Sequence, residues 1–393
     1  MSRTLVLAAL VCGAAALADG GPAPDRPPVR ALTFTPDGTR LVAASGKRDR
    51  AGAVVAWDVA SRKRLWSVPR AAGPASVSVS PDGTLVAVTD GRAMVRLLDV
   101  ATGKATGEVG PHGPVARVAV FLPATGLLAT AADGDVLVWD VKTRAVKATL
   151  KGHTKEVYEL IPSPSGKWLV SSGEDTARVW NVAAAAEVPG VLRQQRGIGH
   201  YAIAFVGPDT MVSADNSATR AVRELPAGTA TIRFSPGGGY DAATYSAAAG
   251  VLASTGYDSP DVWLTDLTRR PPSDAEAARV TKLLADFDAD DYAVREAASS
   301  GMRAIGWVAE PALRKAAADG PSPEVRMRAR EARKAITDAT RVLRTGHGAT
   351  VCATAISPDG SVLATGSDDG TIRLFDPRTA REVARLDPAA DGR

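Results

Sequence analysis

An all-β fold, a seven-bladed β-propeller carrying a small inserted α-helical module of two helix hairpins, is what this sequence predicts. Three observations predict it. A strand-and-proline-turn phrase recurs seven times, each period holds four short strands, and one late segment switches to helical periodicity.

The recurring phrase is an apolar, alternating strand that runs into a turn built on Pro36, Pro81, Pro123, Pro164, Pro208, Pro236 or Pro358. Several of these turns read Ser/Thr-Pro-Asp-Gly, as at 80–83 and 357–360, where proline presets the turn and glycine closes it. Successive intervals are 45, 42, 41, 44, 28 and 122 residues. Four fit one period, one is a strand too short, and the last holds a period plus roughly eighty residues more. Within a period, runs such as 41–44, 54–57, 137–139 and 372–375 are β-branched or apolar, four to a repeat. Four short antiparallel strands make one propeller blade.

The divisions that follow are a signal peptide at 1–18, a proline-rich linker at 19–28 and blades 1 to 6 at 29–270, with blade 5 short. A helical insertion follows at 271–339, and 340–393 supplies the last strand of blade 6, blade 7 and a tail. The first strands read VRALTFT, ASVSVS, VARVAVF, VYELIPS, YAIAFV, ATIRFS and VCATAIS, and the glycine-rich run 237–250 reads as an expanded turn. The third strand of blade 6, at 261–267, has no fourth strand before the helices begin, so that strand is expected at 341–345. The module then replaces the turn between them, and is expected to hang there as a separable unit. Residues 22–28 hold four prolines, which cannot donate to a ladder, and blade 7 has its own fourth strand at 382–386. The ring is expected to close by side-chain packing, without strand exchange.

Composition narrows the function classes. At 393 residues the chain exceeds a single small core, and its 37 glycines and 26 prolines, without period, imply many turns. The 47 basic and 43 acidic residues leave +4, spread over the chain, which points to no nucleic-acid partner. Cys12 and Cys352 alone make neither a disulfide framework nor a thiolate metal site. The early Arg3, the apolar run 5–17 and the small-x-small ending at 16–18 have the anatomy of a cleavable secretory signal, too short for a permanent membrane span. Cleavage after Ala18 would give an exported, periplasmic or secreted protein that keeps Cys352 as a small buried hydrophobe.

Trp57-Asp58, Trp139-Asp140 and Trp180-Asn181, with the variants Leu98-Asp99 and Phe375-Asp376, close third strands, and Gly152-His153 and Gly346-His347 open two repeats. In these phrases, and in LATGSDDGTIRLFD at 363–376, the chain resembles the WD-repeat family of β-propellers. The resemblance covers most of the mature chain and departs from it in blades 5 and 6, where 211–225 lacks a tryptophan-aspartate close. It implies protein interaction as the role. It also implies buried hydrogen-bonded sets, here His153, Ser171, Asp175 and Trp180 in blade 4, and His347, Thr365 and Asp369 with Phe375 in blade 7.

A Ser-His-Asp set invites a catalytic reading, but nucleophilic catalysis needs an exposed hydroxyl beside an oxyanion hole, and no glycine-flanked elbow surrounds Ser171. The four histidines, His112, His153, His200 and His347, share one position before a blade's first strand, which favours a structural role. The first strands hold one carboxylate, Glu159, too few for a hard cation. Asp286, Asp288, Asp290 and Asp291 begin like a calcium loop, yet lack its glycine and closing glutamate, so they read as a solvated, helix-capping loop. No catalytic residue, metal ligand or cofactor is assigned. The rival reading is a propeller enzyme, a hydrolase with loop-derived metal ligands at a channel mouth.

From 271 to 339 the pattern turns helical. Ser273-x-x-Glu276 forms a capping box, Val294, Ala298, Met302 and Ile305 share one face, Pro311 enters a third helix and Pro323 a fourth. Valine-arginine pairs at 294–295 and 325–326 stand 31 residues apart, and the segment resembles HEAT-type helical repeats. Two basic groups are candidate contacts for an acidic partner surface: Arg326, Arg330 and Arg333 on the last helix, and Lys47, Arg48 and Arg50 in a loop of blade 1. The whole reads as an exported, non-catalytic platform for protein partners.

Overall fold

The computed structural model of the chain describes residues 26–388, apart from 47–50, 71–72, 74–75, 90, 114, 133, 193–203, 215–219, 235–242, 257, 268–271 and 338–339. The strands form seven four-stranded antiparallel sheets. They lie at 29–70, 76–109, 118–150, 157–187, 204–234, 243–266 with 340–343, and 351–386, which are blades 1 to 7. Within each sheet, strands neighbour one another in chain order. The first strand of each blade touches that of the next, and Val351–Ile356 of blade 7 touches Val29–Phe34 of blade 1. That circle of contacts makes the seven sheets a closed ring.

The turns between first and second strands stack around one end of the ring. Gly83, at φ +73, faces Pro36 of the preceding blade, and Gly38 faces Pro358. Gly166, at φ +68, lies so close to blade 3 that a Cβ would fall 2.1 Å from the Pro123 carbonyl oxygen. Glycine is needed there for both φ and space. At the turns of blades 1, 2 and 7, Asp37, Asp82 and Asp359 accept from Thr35, Ser80 and Ser357, each at 2.5 Å. Burial raises these carboxyls, but the bonds they accept hold each below its ordinary value.

Blades 5 and 6 are divided differently from the sequence expectation. The run ATIRFS is not a first strand: Thr229–Phe234 pairs back onto Arg220–Glu224 as the fourth strand of blade 5. The turn at 225–228 reverses the chain, with Gly228 at φ +65 donating to the Glu224 carbonyl. The same register shift between third and fourth strands recurs at Ala56/Trp57, Leu97/Leu98, Val138/Trp139 and Leu374/Phe375, and blade 5 has it at Val222/Arg223. Blade 5 is therefore a complete four-stranded sheet. Its first strand is only Ala204–Phe205. The first strand of blade 6 is Ala243–Ser246, inside the run expected to be an expanded turn, and all four of its residues are buried.

The helices are α1 (Asp274–Asp286), α2 (Tyr292–Ile305), α3 (Glu310–Asp319) and α4 (Pro323–Thr337), with a 3-10 turn at Gly306–Ala309. Ser273 and Glu276 form a reciprocal capping box on α1, and Asp291 caps α2 by accepting from Ala293 N–H. α1 packs on α2, α3 on α4, and α2 against α4. Ala298 and Met302 are buried as the spacing implies, but Val294, in the first turn of α2, is 38 % exposed. The repeated valine-arginine pairs have a local cause. Arg295 reaches back to the carbonyls of Ala289 and Asp290, and Arg326 to that of Gly320, so each arginine ties the loop before its helix.

The module leaves blade 6 after Val262–Asp266 and returns as Thr340–Leu343, which pairs with Val262–Thr265. Strand direction places this exit at the end of the ring opposite the histidines. The module does not hang free. Its buried side chains form one hydrophobic cluster with those of blades 5 and 6. Around the seam between blades 7 and 1, no strand is exchanged among the described residues. Side chains of both blades share a core there, and Arg26 and Arg30 add ion pairs to Asp387 and Asp368 at 3.0 and 3.3 Å.

Candidate functional site

In blade 4 the loop before the first strand, the second strand and the following turn bring His153, Ser171 and Asp175 together. His153 Nδ1 lies 2.6 Å from Asp175 Oδ1, and Nε2 lies 2.7 Å from Ser171 Oγ. Trp180 donates its indole N–H to Ser171 Oγ at 2.7 Å. The direction of each bond follows from the inventory of donors. Burial raises the Asp175 carboxyl, but hydrogen bonds from His153 and Thr154 hold it below its ordinary value, so it is an acceptor. Nδ1 must then carry the imidazole proton, and neutral Nε2 accepts from the Ser171 hydroxyl, whose oxygen accepts from Trp180. Burial lowers the His153 pKa despite the neighbouring Asp175, which keeps the ring neutral. Ser171 is fully buried and its proton is committed to the histidine, a geometry for holding loops rather than for nucleophilic attack.

Blade 7 repeats the arrangement with one change. His347 Nε2 lies 2.8 Å from Thr365 Oγ1, and Nδ1 lies 3.2 Å from Asp369 Oδ2 and 3.0 Å from Thr371 Oγ1. Asp369 also accepts from the backbone of Gly348 and Thr371. Burial raises its carboxyl, but the bonds from His347, Thr371 and Gly348 prevail and hold it well below the ordinary carboxylate range. Phe375 stands where Trp180 does and has no N–H to give. Both aspartates thus fasten the turn after the second strand to the loop that enters the blade.

A third histidine does similar work, in keeping with the structural role its shared position implies, through a hydroxyl partner that the sequence reading does not name. His112 Nδ1 lies 2.6 Å from Thr130 Oγ1, which accepts from the Trp139 indole at 2.8 Å. The signal is a spacing: histidine and hydroxyl stand 18 residues apart in all three blades. Equally unforeseen is Arg220, 1 % exposed, whose guanidinium leaves blade 5 and donates to Ser254 Oγ and Thr265 Oγ1 of blade 6 at 2.6 and 3.4 Å.

Around the channel, Ser76 and Ser78 of blade 2 accept from the backbone N–H of Ala119 and Phe121 of blade 3, at 3.1 and 3.0 Å. Glu159 is buried, and Arg117 pairs with Glu156. Among the described residues, no three His, Cys, Asp or Glu side chains converge as metal ligands. The acidic run is used internally: Asp286 pairs with Lys282, Asp288 accepts from Ser322, and Asp291 caps α2.

Of the proposed contact residues, Lys47, Arg48 and Arg50 lie outside the described residues. Arg326 binds the Gly320 carbonyl and Arg333 pairs with buried Glu310 at 2.9 Å, leaving Arg330 as the exposed member of that stripe. Two of the three arginines therefore stabilise the module itself.

Residues 144–181 and 340–376 each match the family model "WD domain, G-beta repeat". These two segments of the chain are WD repeats. Each match spans the fourth strand of one blade and the first three strands of the next, and the two contain the complete histidine, hydroxyl and aspartate sets. Among curated proteins, Transducin beta-like protein 3 of Bos taurus is 31% identical over 154 residues, 38% of this chain and 19% of that protein. Nuclear distribution protein PAC1 of Arthroderma otae is 39% identical over 66 residues, 16% of this chain and 14% of that protein. Centriole proteome protein 16 of Chlamydomonas reinhardtii is 34% identical over 111 residues, 28% of this chain and 5% of that protein. The alignments thus span a fifth or less of the relatives' own length. No helix among the described residues is long and apolar enough to cross a membrane.

Proposed function

We propose that this WD-repeat ring is an exported, non-catalytic platform on which protein partners assemble. The observation that carries the reading is the use made of its chemically capable side chains. The His153 and His347 sets fix the loops at one end of the ring instead of facing solvent, and a rigid ring presenting fixed loops is a frame for recognition. The relatives' WD repeats agree with this role. Export rests on the composition of residues 1–18, and N-terminal sequencing of the protein from the exported fraction should begin at Asp19. A start at Met1 or Ser2 would contradict it.

The test of the platform is chemical cross-linking of the intact chain in the native exported fraction, followed by affinity capture. A saturable, stoichiometric protein partner is the expected result; capture that never saturates contradicts it. The basic loop of blade 1 is proposed as part of the contact surface. Reversing Lys47, Arg48 and Arg50 together should weaken capture and reduce the salt dependence of what remains, and unchanged capture would remove the loop from the account.

A further inference from the structure

Each seam between neighbouring blades has its own core, and the buried apolar side chains fall into seven clusters, one per seam. Six are made by the blades alone. The 3–4 seam includes Leu150, Leu160 and Trp180, and the 7–1 seam Phe34, Trp57 and Leu374. The seam between blades 5 and 6 differs. Of the described side chains, blade 5 contributes Ala204, Val206, Val212 and Val222, and it places the Arg220 guanidinium across the same boundary.

That seam's cluster continues into the helices through Phe287, Met302, Trp307, Leu313 and Ile336. α4 also lies against Thr229–Phe234, the outer strand of blade 5. An outer strand without a neighbour leaves its backbone donors and acceptors open to other chains, and a covering helix blunts that edge. The module is moreover covalently continuous with blade 6 on both sides, between Val262–Asp266 and Thr340–Leu343.

We propose that the helical module is a strap that holds the 5–6 seam shut by extending that seam's core into the helices, so that module and blades 5 and 6 open as one unit. The idea depends on the shared core and not on the platform reading, so the two fail separately.

Hydrogen exchange of the full-length chain, read by mass spectrometry, tests it. In Trp307→Ala, and in the milder Ile336→Val, amides of 210–224 and 251–266 should exchange faster together with those of 274–337. The expected change for Trp307→Ala is about tenfold or more, while 40–58 and 85–99 keep their rates. Lys282→Ala, on the exposed side of α1, should change none of the blades. Faster exchange confined to 274–337 would show a module that opens alone and overturn the proposal, as would equal acceleration in all seven blades. If Trp307→Ala unfolds the chain, Ile336→Val, which removes one methylene, decides between these outcomes.

Discussion

Ser171 accepts from one buried partner and donates to another, so its loss leaves the Trp180 N–H and His153 Nε2 without partners. Ser171→Ala should lower stability by about 1–3 kcal/mol, read from the urea midpoint, and Thr365→Ala by less, because Phe375 has no N–H to orphan. The histidine also sets a pH dependence. Its folded pKa lies below the ordinary 6.5, so between those two values the unfolded chain binds a proton that the folded chain does not. The stability owed to neutral His153 is therefore complete above pH 6.5 and shrinks as pH falls below it. The difference in unfolding free energy between the natural protein and His153→Asn should narrow from pH 7 to pH 5; a difference that widens would contradict a neutral His153 in the folded state. At this scale much is legible in the sequence, because hydroxyl and carboxylate stand four residues apart beside a histidine in blades 4 and 7. His112 is harder to place in such a set, since the position four beyond Thr130 is Gly134, and only the shared histidine-to-hydroxyl spacing marks it.

Elements are legible where local chemistry decides them and illegible where only pairing does. The starts of α1 and α2 follow from Ser273, Glu276 and Asp291, whose side chains satisfy helix N–H groups that nothing else reaches. The border between blades 5 and 6 does not follow from such signals. The fourth strand of blade 5 precedes a proline, as first strands do, while the true first strand of blade 6 is Ala-Thr-Tyr-Ser followed by a turn of alanines. Two predictions belong here. Arg326→Ala frees the Gly320 carbonyl at the end of α3 and should cost about 1 kcal/mol, seen as loss of helical ellipticity at lower urea. Arg333→Ala leaves buried Glu310 without its partner and should cost about 2 kcal/mol, below the usual range for a buried pair because Arg333 is itself partly exposed. Glu310→Gln added to Arg333→Ala should recover part of that loss; no recovery would mean that the pair's charge is not what matters.

On the scale of the whole molecule, seven sheets close because each first strand meets the next, and the last seam is drawn together by a shared core and the two arginine-aspartate pairs. Six of the seven blades are legible from prolines after their first strands, Pro236 instead following the fourth strand of blade 5, whereas the attachment of the helices to the ring is not legible. A separable insertion and a built-in one have the same amphipathic helices in sequence, and only the packing of Phe287, Trp307 and Ile336 into one cluster with blades 5 and 6 distinguishes them. Ring and helices thus form one continuous body. Equilibrium unfolding in urea tests this most directly when helical ellipticity, which reports the module, is followed beside tryptophan fluorescence, to which the ring contributes all tryptophans but Trp307. A single transition with coincident midpoints is the predicted result; loss of the helical signal at lower urea, with the fluorescence transition unmoved, would contradict it.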